Sequence, residues 1–395
     1  MKKTLLGSTA LVAVGLLASP ALASDPLKVT IGGNVVTGFY VIDADSVGGL
    51  EFQDTKVALV ARNIDIKAEG TLDNGLVAGV MAKLQLNTDF QDSGNQANIS
   101  GSTATFRQLF AYLEGGFGKF EIGGTDGAAY KMHYTSPWFV PGNGVDSPNI
   151  YNHPAGSFAN PRSSTFSLMA TDANKVSYFT PRLAGFQLGA SFTPDTSLNG
   201  PLANGNGTGF KYTTFTGNNI GNVFEIAANY AGTLGGVDVG VDGFYVSGSV
   251  NDNNPFTNFS NGADPEEYGF GANLGYAGFT LGGAYYKSSD LDYGAGQSVA
   301  FKDVEAKVWT AGLKYATGPW QVGIAYLKSQ DEGSVGPSGF AGLGAEQSFW
   351  QIGGGYSLGS GVDLGLDLQL IKAKPASGAS DIDAKSAGLV LAVAF

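Results

Sequence analysis

The chain has 395 residues, a formal net charge of −12, no cysteine and 60 glycines, a glycine content roughly twice the usual ~7%. The acidic balance argues against a nucleic-acid partner, and the absence of cysteine argues against a disulfide-stapled extracellular scaffold. After the first two dozen residues no window approaches the roughly 18 consecutive apolar positions of a transmembrane helix.

The first 23 residues, MKKTLLGSTALVAVGLLASPALA, read as a secretory signal peptide. Lys2 and Lys3 form the basic region, Leu5 to Leu17 the apolar core, and Ala21-Leu22-Ala23 the small-residue cleavage site. Cleavage after Ala23 leaves a mature chain starting at Ser24, with 20 basic against 34 acidic residues and a net charge of −14. Residues 24–395 read as a single domain.

Period-two alternation runs through that domain. Ile64 and Ile66 stand opposite Asn63, Asp65, Lys67 and Glu69; Val80, Ala82, Leu84 and Leu86 stand opposite Met81, Lys83, Gln85 and Asn87. Val237, Val239, Val241 and Tyr245 oppose Asp238, Gly240, Asp242 and Phe244. Val362, Leu364, Leu366, Leu368 and Leu370 oppose Asp363, Gly365, Asp367 and Gln369. Such alternation predicts strands with two unlike faces, and the run lengths approach the ~10 residues that cross a bilayer at a tilt. In "TFRQLFA" the same parity puts Arg107 opposite Phe106 and Phe110, which suit lipid.

Seven short turn signals fall at 73–75, 116–118, 181–185, 234–236, 276–278, 317–319 and 359–361. They alternate with eight long polar connections centred near residues 48, 96, 148, 206, 258, 295, 338 and 377. Fifteen connections join sixteen strands. Short turns at one end and long loops at the other predict an all-β transmembrane barrel, sixteen-stranded, antiparallel and up-and-down. The late turns recur about every 42 residues, the spacing of a propeller blade, but two long strands fill that interval and the Gly-His and Trp-Asp signatures are missing. The chain ends "AGLVLAVAF", with Leu389, Leu391, Val393 and Phe395 on one face of a closing strand. A terminal aromatic there suits the interface girdle and resembles a signal read by outer-membrane assembly machinery.

Three stretches carry a family resemblance: "IDIKAEGTLDNGLVAGVMAKLQLN" (64–87), "RQLFAYLEGGFGKFEIGG" (107–124) and "NKVSYFTPRLAGFQLGASFTPD" (174–195). They are similar to strand-turn-strand segments of the trimeric general porins of Gram-negative outer membranes. The resemblance implies a homotrimer in outer-membrane lipid and a third loop folded into the lumen. Independently, residues 125–172 form a 48-residue connection carrying Tyr130, Tyr134, Trp138, Phe139, Tyr151 and Phe158 and five prolines. A connection that long is usually functional, and folding it into a wide barrel would narrow the channel and shield those aromatics.

In general porins, basic wall residues face third-loop carboxylates at the narrowest point. By that resemblance Arg107 matches the strand-four arginine, and Lys67 lies in the second-strand motif. Asn63 stands where many members carry arginine, and Lys83 adds charge to the polar face. The loop offers Asp126 and Asp146, and Asp146 is the first choice of partner for Arg107. His133 and His153, both in the loop, lack metal-ligand spacing, and no nucleophile–base–orienter set is legible. The reading is a passive diffusion channel for ions and small hydrophilic solutes, with no catalysis, metal or cofactor. A sugar-selective porin is the alternative, favoured if aromatic residues such as Trp309, Trp320 or Trp350 line the path. A secreted soluble propeller or adhesin is the rival from another class.

Overall fold

The computed structural model describes residues 27–46, 54–86, 104–146, 164–196, 219–251, 264–289, 305–332, 344–374 and 380–395. The signal peptide lies outside them, as do His153, Tyr151 and Phe158 of the long connection.

The alternating stretches form sixteen strands. The first half comprises β1 (Lys28–Ala44), β2 (Thr55–Thr71), β3 (Val77–Leu86), β4 (Ala104–Gly115), β5 (Gly118–Gly124), β6 (Asn174–Phe179), β7 (Phe186–Asp195) and β8 (Asn219–Leu234). The second half comprises β9 (Val237–Asn251), β10 (Glu266–Tyr276), β11 (Phe279–Ser289), β12 (Glu305–Thr317), β13 (Trp320–Glu332), β14 (Glu346–Gly359), β15 (Val362–Lys374) and β16 (Ile382–Ala394). Each pairs antiparallel with its sequence neighbours, and β1 pairs with β16 to close the barrel. All seven short turns fall at the predicted joints. At the β8–β9 turn, Gly235 and Gly236 hold φ of +59° and +85°, a conformation that costs a side chain energy and glycine almost nothing. The single closed sheet replaces the propeller alternative. A closed sheet leaves no edge strand, so the ladder can pair the wall's backbone without water. Closure extends to the last residue, where Phe395 N–H donates to Gly33 O at 3.1 Å and Gly33 N–H donates to Phe395 O at 3.0 Å.

The two faces of the wall differ as alternation requires. On β15, Leu364, Leu366, Leu368 and Leu370 are exposed, while Asp367 and Gln369 are buried on the other face. Trp309, Trp320 and Trp350 also stand exposed among apolar residues, so these tryptophans belong to the apolar face and not to a solute path. The parity expected around Arg107 is broken. Lys83 pairs with Gln108 and Leu84 with Phe106, which makes Arg107 the extra residue of a β-bulge. Phe106 faces apolar surroundings at 41% exposure, but Phe110 lies on the polar face at 8%. There its ring sits 4.8 Å from the Lys131 ammonium.

The connection after β5 begins with a short helix, α1 (Ala128–Lys131), and then follows the polar face strand by strand. Ala128 N–H donates to Ser191 Oγ of β7 at 2.8 Å, Ala129 N–H to Glu225 of β8 at 3.0 Å, and Tyr134 N–H to Asp242 of β9 at 2.7 Å. Ser136 meets Thr310 of β12 at 2.9 Å. Phe139 packs on Gly323 of β13, Val140 on Gly353 of β14, and Gly142 on Val36 of β1. Asn143 donates to Asp367 of β15 at 2.8 Å. The path needs a thin wall. At Gly271 of β10 an added Cβ would lie 1.8 Å from the Tyr134 carbonyl oxygen, so no other residue fits beneath the segment.

Gly271→Val should therefore lift the segment while leaving the barrel closed. Limited proteolysis in detergent should cut within residues 125–146 at least about tenfold faster than in wild type, corresponding to about 1.4 kcal/mol of lost seating, with unchanged strand content by circular dichroism. Unchanged cleavage would contradict the close approach.

Candidate functional site: a charged cluster on the polar face

The site is built where the two ends of the 125–172 connection meet β4. The bulge throws the Arg107 side chain toward Asp172, and Nε donates to Oδ2 at 2.6 Å. The neighbouring Gln108 amide donates to Asp172 Oδ1 at 2.7 Å and to Asp126 Oδ2 at 2.8 Å. One arginine, one glutamine and two carboxylates thus form a hydrogen-bonded group spanning both feet of the connection. Lys175 of β6 fastens those feet from behind. Its buried ammonium donates to Ala170 O at 2.5 Å, Ala173 O at 2.9 Å and Thr125 O.

Of the residues expected from sequence, Arg107 and Asp126 come together here. Asp146 does not. It is fully buried within the connection, where it accepts the Thr165 N–H at 3.0 Å and the hydroxyls of Thr135 and Thr165. Those donors occupy it, so the partner of Arg107 is Asp172, not Asp146. Lys67, Asn63 and Lys83 share the polar face of β2 and β3. Lys67 pairs with Glu69 at 2.8 Å, Asn63 donates to Asn34 at 3.2 Å, and Lys83 lies opposite Asp65 across the ladder and next to Gln108. Alternating signs on this part of the wall largely neutralise one another.

A second set of residues was not singled out by sequence. Asp242 accepts His133 Nδ1–H at 2.9 Å in addition to the Tyr134 amide, while His133 Nε2 meets Thr165 Oγ1 at 3.0 Å. Glu267 accepts from Tyr286 at 2.7 Å and from Ser167. Asp367 gathers Tyr40, Asn143, Gln351 and Gln369. Glu121 is bridged by Lys119 at 3.0 Å and by Lys131. Within the connection, burial pushes the Lys131 ammonium below its ordinary range, against the pull of Glu121, and pushes the Tyr130 hydroxyl up to about 12. The signal for the wall carboxylates was present: Asp242 and Asp367 fall on the polar parity of "VDVGVDG" and "VDLGLDL". What sequence lacks is the knowledge of which loop amides come to rest on them. Among the described residues, no three His, Cys, Asp or Glu side chains are grouped to hold a metal ion.

The comparisons with known proteins agree with this fold. Residues 7–376 match the family model described as Gram-negative porin. A curated relative from Rickettsia bellii (strain RML369-C), described as an uncharacterized protein, is 25% identical over 244 residues, covering 53% of this chain and 52% of that one. The chain's match thus spans about half the length of that relative. Among solved structures, OmpT of Vibrio cholerae, an outer membrane protein in a trimer form, overlays with a TM-score of 0.58 at 13% identity, covering 94% of this chain and 100% of that one. The outer membrane channel DcaP of Acinetobacter baumannii gives 0.59 at 11% identity over 94% and 98%. A mutant of the Rh. blastica porin gives 0.53 at 16% over 93% and 100%. The chain belongs to the family of Gram-negative porins and folds as an outer-membrane β-barrel.

Proposed function

We propose that the protein is a passive diffusion channel for ions and small hydrophilic solutes, and that residues 125–172 fold into its lumen and narrow it. The observation that carries this reading is the strand-by-strand course of residues 128–143 along the polar face. A segment held there occupies cross-section that water and solute would otherwise fill. Selectivity then comes from width and from fixed charge at the narrowing. Arg107, Asp126 and Asp172 supply that charge, with Lys67, Asn63 and Lys83 lining the adjacent wall. The position of Trp309, Trp320 and Trp350 on the apolar face gives no support to a sugar-selective path built from them.

The same reading includes cleavage after Ala23, recognition of the strand ending in Phe395 by the barrel-assembly machinery, and association into a homotrimer. Unheated samples in SDS should run as an oligomer and collapse to one monomer band on boiling, since a closed sheet with paired backbone resists detergent. Mass analysis of that band should place its start at Ser24. Mobility unaffected by heating would contradict the trimer.

Planar-bilayer recordings across a salt gradient test the channel and its charges together. A unit charge about 7 Å from an ion's path in water contributes about 0.6 kcal/mol, roughly a threefold change in local ion concentration. Arg107→Ala uncovers Asp172 and should shift the permeability ratio toward cations by roughly that factor. Asp172→Asn should shift it toward anions, and the double variant should return close to wild type. A protein that inserts without conducting refutes the channel. Conduction with identical ratios in all four proteins removes Arg107 and Asp172 from the ion path.

A further inference from the structure

A single line of side chains joins the two arms of the connection, near residues 133–135 and 164–166, to each other and to β9. His133 is enclosed edge-on by Phe166 and Phe244, each with its ring centroid 5.2 Å away. Its Nδ1 meets Asp242 Oδ2 at 2.9 Å and its Nε2 meets Thr165 Oγ1 at 3.0 Å. The Thr165 hydroxyl donates in turn to Asp146 Oδ2, as does the Thr135 hydroxyl. An Asp–His–Thr order is that of a nucleophile relay. Here, however, the hydroxyl is closed off from solvent and already committed to Asp146, so it has no substrate to attack. The line serves to position the segment.

Counting hydrogens shows its protonation. Four side-chain contacts, Asp242–His133, His133–Thr165, Thr165–Asp146 and Thr135–Asp146, each need one hydrogen. Each of the two hydroxyls supplies one and a neutral imidazole supplies one, which makes three. With a neutral ring, the Thr165 hydroxyl would have to serve both Nε2 and Asp146, and one contact would set lone pair against lone pair. The cluster therefore binds one further proton. Backbone donors keep it off the carboxylates: Tyr134 N–H donates to Asp242 Oδ1 at 2.7 Å and Thr165 N–H to Asp146 Oδ1 at 3.0 Å, and such donors favour the ionised form. The imidazole is the base that remains.

We propose that His133 is an imidazolium held between two carboxylates, and that its second ring proton latches both arms of the connection to β9. A buried cation needs partnered charge around it, and Asp242 on the wall and Asp146 in the connection provide it. The other groups nearby are engaged elsewhere. Lys131 turns to Glu121, and Glu267 to Ser167 and Tyr286. From β8, Asn229 donates to Met132 O at 3.2 Å and accepts from Arg182 at 2.9 Å. Tyr130 stacks on Phe166 with centroids 4.7 Å apart, and Tyr134 gives its amide to Asp242. Because the seated arms bind the proton, linkage favours their release as pH rises and the ring loses it. On the reading that the segment narrows the lumen, which this last consequence rests on, release widens the path.

The test follows the folded full-length barrel in detergent by NMR, with isotope-labelled histidine ring nitrogens and methionine methyls. Met132 is buried beside His133, its sulfur against Gly189 of β7, and its methyl reports seating. The histidines are His133 and His153, so loss of a signal in His133→Gln assigns the ring. At neutral pH both His133 nitrogens should carry protons, and wherever rising pH strips one of them, the Met132 methyl should move in step to a released position. A neutral His133 ring with Met132 still seated overturns the proposal, as does a methyl that stays seated through the titration. His133→Gln cannot replace the imidazolium and should raise the released population at least about tenfold at every pH, the loss of one charge-assisted hydrogen bond. Thr165→Val, which removes the acceptor of Nε2–H and keeps the ring, should likewise raise it. Unchanged seating in both variants overturns the proposal. Heat-sensitive mobility in SDS checks that each variant keeps its barrel. Conductance recorded over the same pH range separates the latch from the narrowing: a released Met132 methyl with unchanged conductance supports the latch and contradicts the narrowing.

Discussion

A chain segment pressed against a barrel wall loses water from its amides, and each buried donor then has to find an acceptor or carry its full desolvation cost. Here the wall supplies carboxylates. Glu225 takes the Ala129 amide, Asp242 takes the Tyr134 amide and the His133 ring, Asp367 takes Asn143, and Glu121 takes Lys131. Hydrogen bonds to a charged acceptor contribute about 1.5–3 kcal/mol each, more than bonds to neutral groups. The carboxylates are themselves buried, and the donors that converge on them make that burial tolerable. Removing a carboxylate costs the segment its anchor; removing the segment leaves an uncompensated charge. Each holds the other in place.

Barrel closure makes such an arrangement possible. Because β1 and β16 complete the sheet, the wall needs nothing from the connecting segment to satisfy its own backbone, and its polar face is available for mooring. Close approach then demands small wall residues. Gly240 and Gly271 sit under Tyr134, Gly323 under Phe139 and Gly353 under Val140. The glycine-rich composition therefore has two distinct sources, the tight turns at one end and the thinned track beneath the segment. The acidic composition has a source as well: several of the carboxylates in excess over lysine and arginine are structural acceptors and not a diffuse surface charge.

Much of this was legible in the sequence. Strand number, the seven turns, the unlike faces and the closing strand all follow from period-two alternation and glycine-rich turn chemistry, which are local signals. The candidate site was partly legible. Arg107 and Asp126 lie in one hydrogen-bonded group, linked through Gln108 and Asp172, but parity reasoning assumed an unbroken ladder, and the bulge at Arg107 moved Phe110 to the opposite face. Asp172 was missed because it lies at the far foot of a 48-residue connection, where no periodicity links it to β4. Asp146 was misassigned because a carboxylate that faces solute and one that serves its own loop look alike in one dimension. Pairing across such distances is set by the path of the chain.

The central claim is that wall carboxylates moor residues 125–146, and backbone hydrogen exchange reads this most directly. The amides of Ala129 and Tyr134 lie outside the barrel strands yet donate to Glu225 and Asp242 of the wall. If those bonds hold the segment, the two amides exchange at least about a hundredfold more slowly than an unstructured peptide. Exchange of Ala129 and Tyr134 should accelerate selectively in Glu225→Gln and Asp242→Asn, respectively, while ladder amides remain protected. Exchange of these amides at unstructured-peptide rates in the wild-type barrel would contradict the account.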